Sequence, residues 1–338
     1  MATINDVARA AGVSPSTVSY VLSGRRPISA GTRERVQAAI AELGFHPHAG
    51  ARALASSKTN VLALVVPLRT DVNVPVIMQF ATAVVTASRV HNHDVLLLTK
   101  DEGTAGLERV AHSTMVDALI VMDVERDDVR LTALRTLKQP SVLIGLPEDP
   151  AGIACVDLDF EAAAAEALRH LAWHGHRRVA LVGPSPAVYK RGTSYAERFL
   201  TGFTIASATL GLETMTHPCE PDREGVRACL ADIDAQLPGV TALVVHNEEA
   251  LRMVLEELQT AGRRVPADIS VVAICPRDVA LNMPLPLTSV DIPAHDVGGL
   301  AVETAMRLLD GRSIELVRLL PPTLVERKSS APPATAAD

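Results

Sequence analysis

Residues 12–24 read Gly-Val-Ser-Pro-Ser-Thr-Val-Ser-Tyr-Val-Leu-Ser-Gly. A glycine opens the stretch, Ser14 stands where a helix N-cap belongs, and Pro15 follows at the first helical position, where its missing N–H costs nothing. Val18, Val21 and Leu22 recur at i, i+3, i+4 and form the expected buried side, which leaves Ser16, Ser19 and Tyr20 on other faces. Upstream, Thr3-Ile4-Asn5-Asp6 is a capping box with Asp in the acidic position, and Val7, Ala8 and Ala11 form the apolar face of a helix that Gly12 ends. Downstream, a third helix is expected to run to about Leu43, with Val36, Ala39, Ile40 and Leu43 inward, closed by Gly44.

Two helices joined by a tight glycine turn, the second carrying small polar residues outward, fit a helix-turn-helix that lays its second helix in the DNA major groove. Ser16 can exchange a hydrogen bond with any base edge, Pro15 offers only apolar surface, and Tyr20, one turn on, carries a ring and a hydroxyl. A small three-helix packing or dimerisation unit is the alternative. Charge favours the first reading. Of the formal net charge of −7, residues 1–60 carry +4, leaving −11 on the rest of the 338-residue chain. A basic head on an acidic body suits a polyanion partner for the head.

From Val61 the pattern changes. The runs 61–66, 95–99, 118–122, 141–145, 178–183, 242–246 and 269–274 are short, β-branched or leucine-rich, and separated by helical segments. Near-continuous apolar strands alternating with helices indicate parallel sheets covered on both faces. Seven or more strands over this length favour two doubly wound α/β subdomains, with 319–325 as a last edge strand. Beyond Lys328, Ser-Ser-Ala-Pro-Pro-Ala-Thr-Ala-Ala-Asp reads as a disordered tail. Cys155, Cys219, Cys229 and Cys275 show no CxxC pair or zinc-finger spacing, so reduced thiols are expected. The pairs His46/His48 and His174/His176 lack an adjacent acid or cysteine cluster, and neither they nor other residues call for a metal or cofactor. No signal-like or membrane-spanning run occurs, so a soluble, cytoplasmic protein is expected. GxGxxG after a strand, GxxxxGK[ST], GxSxG and HExxH are all missing, which disfavours an α/β enzyme.

These residues carry a resemblance. Thr3-Ile4, Asp6-Val7-Ala8, Gly12-Val13-Ser14, Thr17-Val18-Ser19, Thr32-Arg33, Val36, the run 41–47 and the run Ala51-Arg52-Ala53-Leu54-Ala55 resemble, in order and spacing, the heads of the LacI/GalR (lactose-repressor/galactose-repressor) family of bacterial transcription regulators. The likeness continues through Gly175-His176-Arg177-Arg178-Val179-Ala180, Arg198, Gly202-Phe203, Pro266, Asp268-Ile269-Ser270-Val271-Val272 and Leu287-Thr288-Ser289-Val290, so it covers residues 2–327. It implies a helix-turn-helix head over 1–46, a hinge helix over 47–58 that folds on DNA, and an effector-binding and dimerisation body over 59–328. That body is similar to the periplasmic sugar-binding proteins, with lobe crossovers near 160, 288 and 318, followed by the tail 329–338.

The resemblance further implies a homodimer on a near-palindromic double-stranded operator and a small-molecule effector, expected to be a saccharide acting as inducer. A non-sugar effector or a co-repressor is the alternative. By position, Pro15, Ser16 and Tyr20 match base readers, Arg26 a phosphate-contacting region, and Leu54 the leucine that wedges into the central minor groove. Gly50 weakens the hinge helix by roughly 1 kcal/mol relative to alanine, so Gly50→Ala should tighten operator binding. In the body, Arg198 and Asn247 match effector-binding positions, with Tyr189, Arg191, Tyr195 and Asp278 as further candidates. Where the family usually has Gly-Phe/Tyr-Asp-Asp, this chain has Ala273-Ile274-Cys275-Pro276. Glu248 replaces the Asp after the asparagine, and Ile292 occupies a position that is often glutamine. The effector chemistry therefore departs from that of the simplest monosaccharide sensors. The missing leucine-heptad extension favours a dimer over a tetramer.

Overall fold

The computed structural model describes residues 2–23, 26–45, 58–69, 72–113 and 115–334. His46, His48, Gly50 and Leu54 lie outside them. In the head, α1 (Ile4–Ala11) starts at the expected capping box: the Thr3 hydroxyl accepts from the Asp6 amide, and the Asp6 carboxylate accepts from the Thr3 amide at 3.0 Å. Helix α2 (Pro15–Ser23) is capped by Ser14, whose hydroxyl accepts from the Thr17 amide at 3.2 Å. Helix α3 (Ala30–Leu43) ends at Gly44 in the left-handed region, φ 56°, which lets the Phe45 amide reach back to the Ile40 carbonyl at 3.0 Å. Val7, Ala8, Ala11, Val18, Val36, Ala39 and Phe45 make the core.

Two residues expected inward are exposed, Leu22 at 37% and Leu43 at 38%. Helical phase puts Leu43 on the face of Val36, but the turn at Gly44 brings Phe45 over that end of the core instead.

The body has two lobes. The first holds a fully parallel sheet ordered β11-β5-β4-β3-β1-β2, where β1 is Val61–Val65, β2 Asp94–Leu98, β3 Ala118–Val121, β4 Ser141–Ile144, β5 Ala154–Leu158 and β11 Val317–Leu320. The second is ordered β12-β10-β9-β8-β6-β7, with β6 Arg178–Gly183, β7 Glu213–Pro218, β8 Ala242–Val245, β9 Ser270–Cys275, β10 Thr288–Asp291 and an antiparallel β12 (Leu324–Val325) at one edge. Each lobe repeats one doubly wound order, with its topological switch point beside β1 in the first and β6 in the second.

Helices α4 (Val74–Val90), α5 (Gly103–His112), α6 (Leu131–Thr136) and α13 (Ala294–Leu309) belong to the first lobe. Helices α7 (Phe160–Trp173), α8 (Pro186–Arg191), α9 (Ser194–Leu210), α10 (Arg223–Gln236), α11 (Leu251–Thr260) and α12 (Arg277–Leu281) belong to the second. The chain crosses between lobes after Leu158, at Ile292-Pro293 and at Pro321-Pro322-Thr323.

All seven apolar runs form strands, but three strands had no apolar run to mark them. β5 contains Asp157, β7 is a polar edge strand, and β10 reads Thr-Ser-Val-Asp. The single edge strand expected over 319–325 is two strands in different sheets, because Pro321 and Pro322 offer no amide to continue a ladder.

The tail expected to be disordered from Ser329 is ordered through its first residues, and this corrects the sequence-based boundary. Ser329 is fully buried; its carbonyl accepts from the Val271 amide at 2.7 Å and its hydroxyl donates to the Val271 carbonyl at 2.6 Å. The Ala331 amide donates to Ser270, and the Ala331 carbonyl meets His176 at 2.9 Å. Composition scores serine as solvent-loving, yet a short hydroxyl side chain beside a strand satisfies backbone groups at little entropic cost.

Candidate nucleic-acid interface and effector cleft

On the head, Pro15 and Ser16 are exposed at the start of α2, and Tyr20 is half-buried one turn on. Ser16 exchanges a hydrogen bond with Ser14 at 3.0 Å, and Ser14 also bonds Thr17 at 2.9 Å, so the first turn carries a chain of hydroxyls. The Arg26 guanidinium lies over the Tyr20 ring, 5.1 Å from its centroid. That cation–π contact fixes the ring and keeps a positive charge next to it. Arg35 donates to the Ala11 carbonyl at 3.3 Å and ties α3 to the end of α1.

A cleft opens between the lobes, at the carboxyl ends of the strands, where doubly wound sheets place ligands. The first lobe lends it Val66 after β1, Met122, Asp123 and Val124 after β3, and Asp157 in β5, together with Asn73 and Phe80 at α4. The second lobe adds Phe160, Tyr195, His246, Glu248 and Ile292. Asp123 is held at φ 53°, in the left-handed region that aspartate tolerates better than most residues.

At the floor of the cleft His246 is ringed by aromatic groups. Its centroid is 4.4 Å from Phe199, 5.4 Å from Tyr195 and 5.7 Å from Phe160. Burial holds the imidazole neutral, with its pKa down to about 3. The two carboxyls behave in the opposite sense for the same reason: burial lifts Glu248 to about 7, and lifts Asp157 to about 7 in spite of its arginine partner.

Polar contacts join the lobes around this cleft. Arg198 on α9 donates to Asp157 at 2.8 Å and to the Leu158 carbonyl at 3.3 Å. Arg191 lies 3.5 Å from Asp123, Gln79 donates to Asp278 at 3.1 Å, and Arg126 pairs with Glu197 at 3.3 Å. Backbone bonds reinforce them: the Ser194 amide donates to Val124 at 2.9 Å, the Arg126 amide to Gly192 at 2.7 Å, and the Ser194 hydroxyl to the Leu146 carbonyl.

The six residues singled out in the body thus fall in three places. Tyr195 lines the cleft. Arg191, Arg198 and Asp278 sit in interlobe pairs at its edges. Tyr189 and Asn247 stand behind it. Tyr189 packs under Gly183, where an added Cβ would meet its ring, and burial pushes its hydroxyl pKa up. Asn247 is buried, donates to the Gly183 and Cys219 carbonyls at 3.2 and 2.9 Å, and accepts from the Ala250 amide at 3.2 Å, so its amide knits loops together. Cys275 is wholly buried in β9.

Sequence reasoning passed over Phe80, Asp123, Asp157, Phe160 and His246. A usable signal existed for most of them. Asp123 and His246 end apolar runs at strand carboxyl ends, Asp157 is an acid set between Val156 and Leu158 in β5, and in a doubly wound sheet a polar residue there faces the ligand crevice. Phe80 and Phe160 carry no such mark, since a helix phenylalanine reads as core.

Comparison with known proteins extends these observations. Residues 3–48 match the model for bacterial regulatory proteins of the lacI family, and residues 168–330 match a periplasmic binding protein-like domain. The chain is 30% identical over 342 residues to the HTH-type transcriptional regulator GalR of Escherichia coli (strain K12), covering 99% of this chain and 97% of that one. It is 29% identical over 333 residues to the HTH-type transcriptional regulator CelR of Thermobifida fusca, covering 94% and 95%.

Among solved structures, a transcriptional regulator CelR–cellobiose complex superposes with a TM-score of 0.69 at 27% identity, covering 97% of this chain and all of that one. A lac repressor dimer bound to operator and an anti-inducer gives a TM-score of 0.84 at 23% identity over 98% and 99%, a likeness of fold. Both ends of the molecule, the basic three-helix head and the two-lobed body, match over nearly full length, and the chain belongs to the LacI/GalR family of bacterial transcriptional regulators.

Proposed function

We propose that this regulator is a cytoplasmic, homodimeric repressor of carbohydrate-utilisation genes, released from a near-palindromic operator when a small saccharide occupies the cleft. The carrying observation is the cleft itself: aromatic faces of Phe160 and Tyr195 beside the carboxyls of Asp123, Asp157 and Glu248, at the carboxyl ends of both sheets. Aromatic rings suit the C–H face of a sugar, and carboxyl oxygens accept from its hydroxyls in either protonation state. The similarity to GalR and to a cellobiose-bound CelR supports the same class.

On the DNA side, Pro15, Ser16 and Tyr20 read base edges, Arg26 meets phosphate, and Leu54 wedges into the central minor groove. In the body, Tyr195 faces the effector, and Arg191, Arg198 and Asp278 report the lobe angle. The cleft encloses about 140 Å³, below the roughly 300–1,000 Å³ typical of small-molecule sites. A disaccharide would therefore have to part the lobes and loosen the pairs that join them. Coupling follows: if the lobe angle sets the spacing of the two heads, effector and operator each weaken or strengthen the other by the same free energy.

A second reading concerns the effector. Eleven of the seventeen lining residues are apolar or aromatic, Ile292 among them, which favours a ligand with an apolar substituent or a non-sugar. No catalytic role is assigned. Thermal unfolding of the full-length protein against monosaccharides, short oligosaccharides, aryl and alkyl glycosides, sugar phosphates and purines separates these readings. A ligand at a hundred times its Kd stabilises by roughly 2.7 kcal/mol. A shift with a plain saccharide that also lowers operator affinity supports the first reading; a shift only with glycosides carrying apolar groups, or with purines, supports the second. Deleting residues 1–58 should abolish DNA binding and leave the ligand response.

A further inference from the structure

Away from the cleft, the outer end of α7 carries a cluster for which neither DNA nor effector binding has a use. His170 and His174 lie four residues apart on one helix face, with ring centroids 4.6 Å apart. Glu326, just past β12, reaches toward them, its carboxylate 3.6 Å from His174 Nε2. One ligand atom from each of the three residues lies within 4.8 Å of the other two. His170 Nε2 is already engaged with the Ser330 hydroxyl at 2.9 Å.

The His174 side chain is only 9% exposed, yet its Nε2 meets no hydrogen-bond partner among the described residues. The ring makes edge contacts with His170 and Trp173, 4.6 and 4.8 Å away, and the Glu326 carboxylate at 3.6 Å stands just beyond hydrogen-bond reach of that nitrogen. A buried nitrogen without a hydrogen-bond partner, aimed at a carboxylate and neighboured by a second imidazole one helical turn away, is an arrangement that a cation resolves.

We propose that His170, His174 and Glu326 form a binding site for a divalent transition-metal ion of the zinc type. Two imidazole nitrogens and one carboxylate oxygen suit zinc, cobalt(II) or nickel(II) and not magnesium or calcium, which take oxygen ligands. Two histidines at i, i+4 present their nitrogens to one point, and Glu326, 54% exposed, is free to close the remaining distance. Water completes the coordination at the open side. Ser330 either follows His170 or yields to the metal, so binding is felt by the C-terminal segment.

The position gives the site a consequence. Helix α7 leaves the first lobe crossover at Leu158, and Glu326 follows the third crossover at 321–323. A metal there staples together the two segments that emerge from those crossovers on the second-lobe side.

The test uses full-length protein, cobalt(II) as a visible probe and zinc as competitor. The expected result is one cobalt(II) per chain with d–d absorption bands, displaced by zinc, and a rise in the thermal midpoint with zinc. Glu326→Gln, a surface change that leaves the fold intact, should weaken affinity at least tenfold, and His174→Ala should abolish the bands. Substoichiometric binding, or bands and midpoint shift retained in both Glu326→Gln and His174→Ala, would overturn the proposal. Retained binding in both would assign the metal to other histidines.

Discussion

Arg198 shows how a single residue's role changes once its neighbours are known. Its resemblance-based role is to fork onto effector hydroxyls, but in this conformation it spends its donors on Asp157 and the Leu158 carbonyl. Removing Arg198 leaves Asp157 uncompensated in a buried site, where it must take up a proton and lose the ion pair and its hydrogen bond. Arg198→Ala should therefore lower unfolding free energy by about 3 kcal/mol in urea titration, and Arg198→Met with Asp157→Asn should recover most of that loss. A full-sized loss in the double variant would mean that the pair is not what Arg198 contributes.

On the head, Tyr20→Ala should relax preference at one base pair per half-site by about 1–3 kcal/mol, whereas Arg26→Ala should weaken all sequences alike and flatten the salt slope. Because Arg26 rests on the Tyr20 ring, the two effects should be non-additive in a double variant. Quantitative binding to cognate and scrambled duplexes at several salt concentrations checks both.

At the scale of elements, the packing of α7 against α9 positions the aromatic side of the cleft. Gly202 on α9 meets α7 so closely that an added Cβ would stand 2.3 Å from the Glu161 carbonyl oxygen and 2.5 Å from its Cα. Backbone cannot retreat as a side-chain tip does, so the helices must separate. Gly202→Ala should cost about 1–3 kcal/mol of stability and, by shifting Phe160 and Tyr195, should weaken effector binding as well. Equal effector affinity in wild type and variant would show that the cleft tolerates the displacement. β7 is an edge strand, β5 places Asp157 at the cleft, and β10 uses Thr288 and Ser289 for hydrogen bonds to Ser330 and Asp291, so apolar periodicity does not find them.

For the molecule as a whole, the two lobes meet across a cleft whose acids are reluctant to ionise. Glu248 and Asp157 both have pKa values raised to about 7 by burial. A carboxyl raised on folding binds more protons folded than unfolded, so its stabilisation is full below the unfolded value and is lost as pH climbs through the folded one. Stability without effector should fall between about pH 4.5 and pH 7 on this account. Glu248→Gln should flatten that fall by up to about 3 kcal/mol, with Asp157 supplying the remainder. Urea midpoints for both proteins across this range decide it, and parallel curves would exclude Glu248 as a contributor.

The sequence by itself determined the head, its caps and turns, and the two-lobed body, because capping boxes, helical phase and apolar runs act between residues close in the chain. It also carried the family, through short ordered motifs spread over nearly the full length. Tertiary structure decided the rest. Arg191, Arg198 and Asp278 found partners across the lobes, Asn247 turned to backbone carbonyls, and Ser329 became buried beside β9. The cleft is assembled from segments between Val66 and Ile292, and which polar groups meet there depends on how two sheets face each other. No local pattern encodes that, since the energy of a buried charge is set by whatever partner lies within a few ångströms, at any distance along the chain.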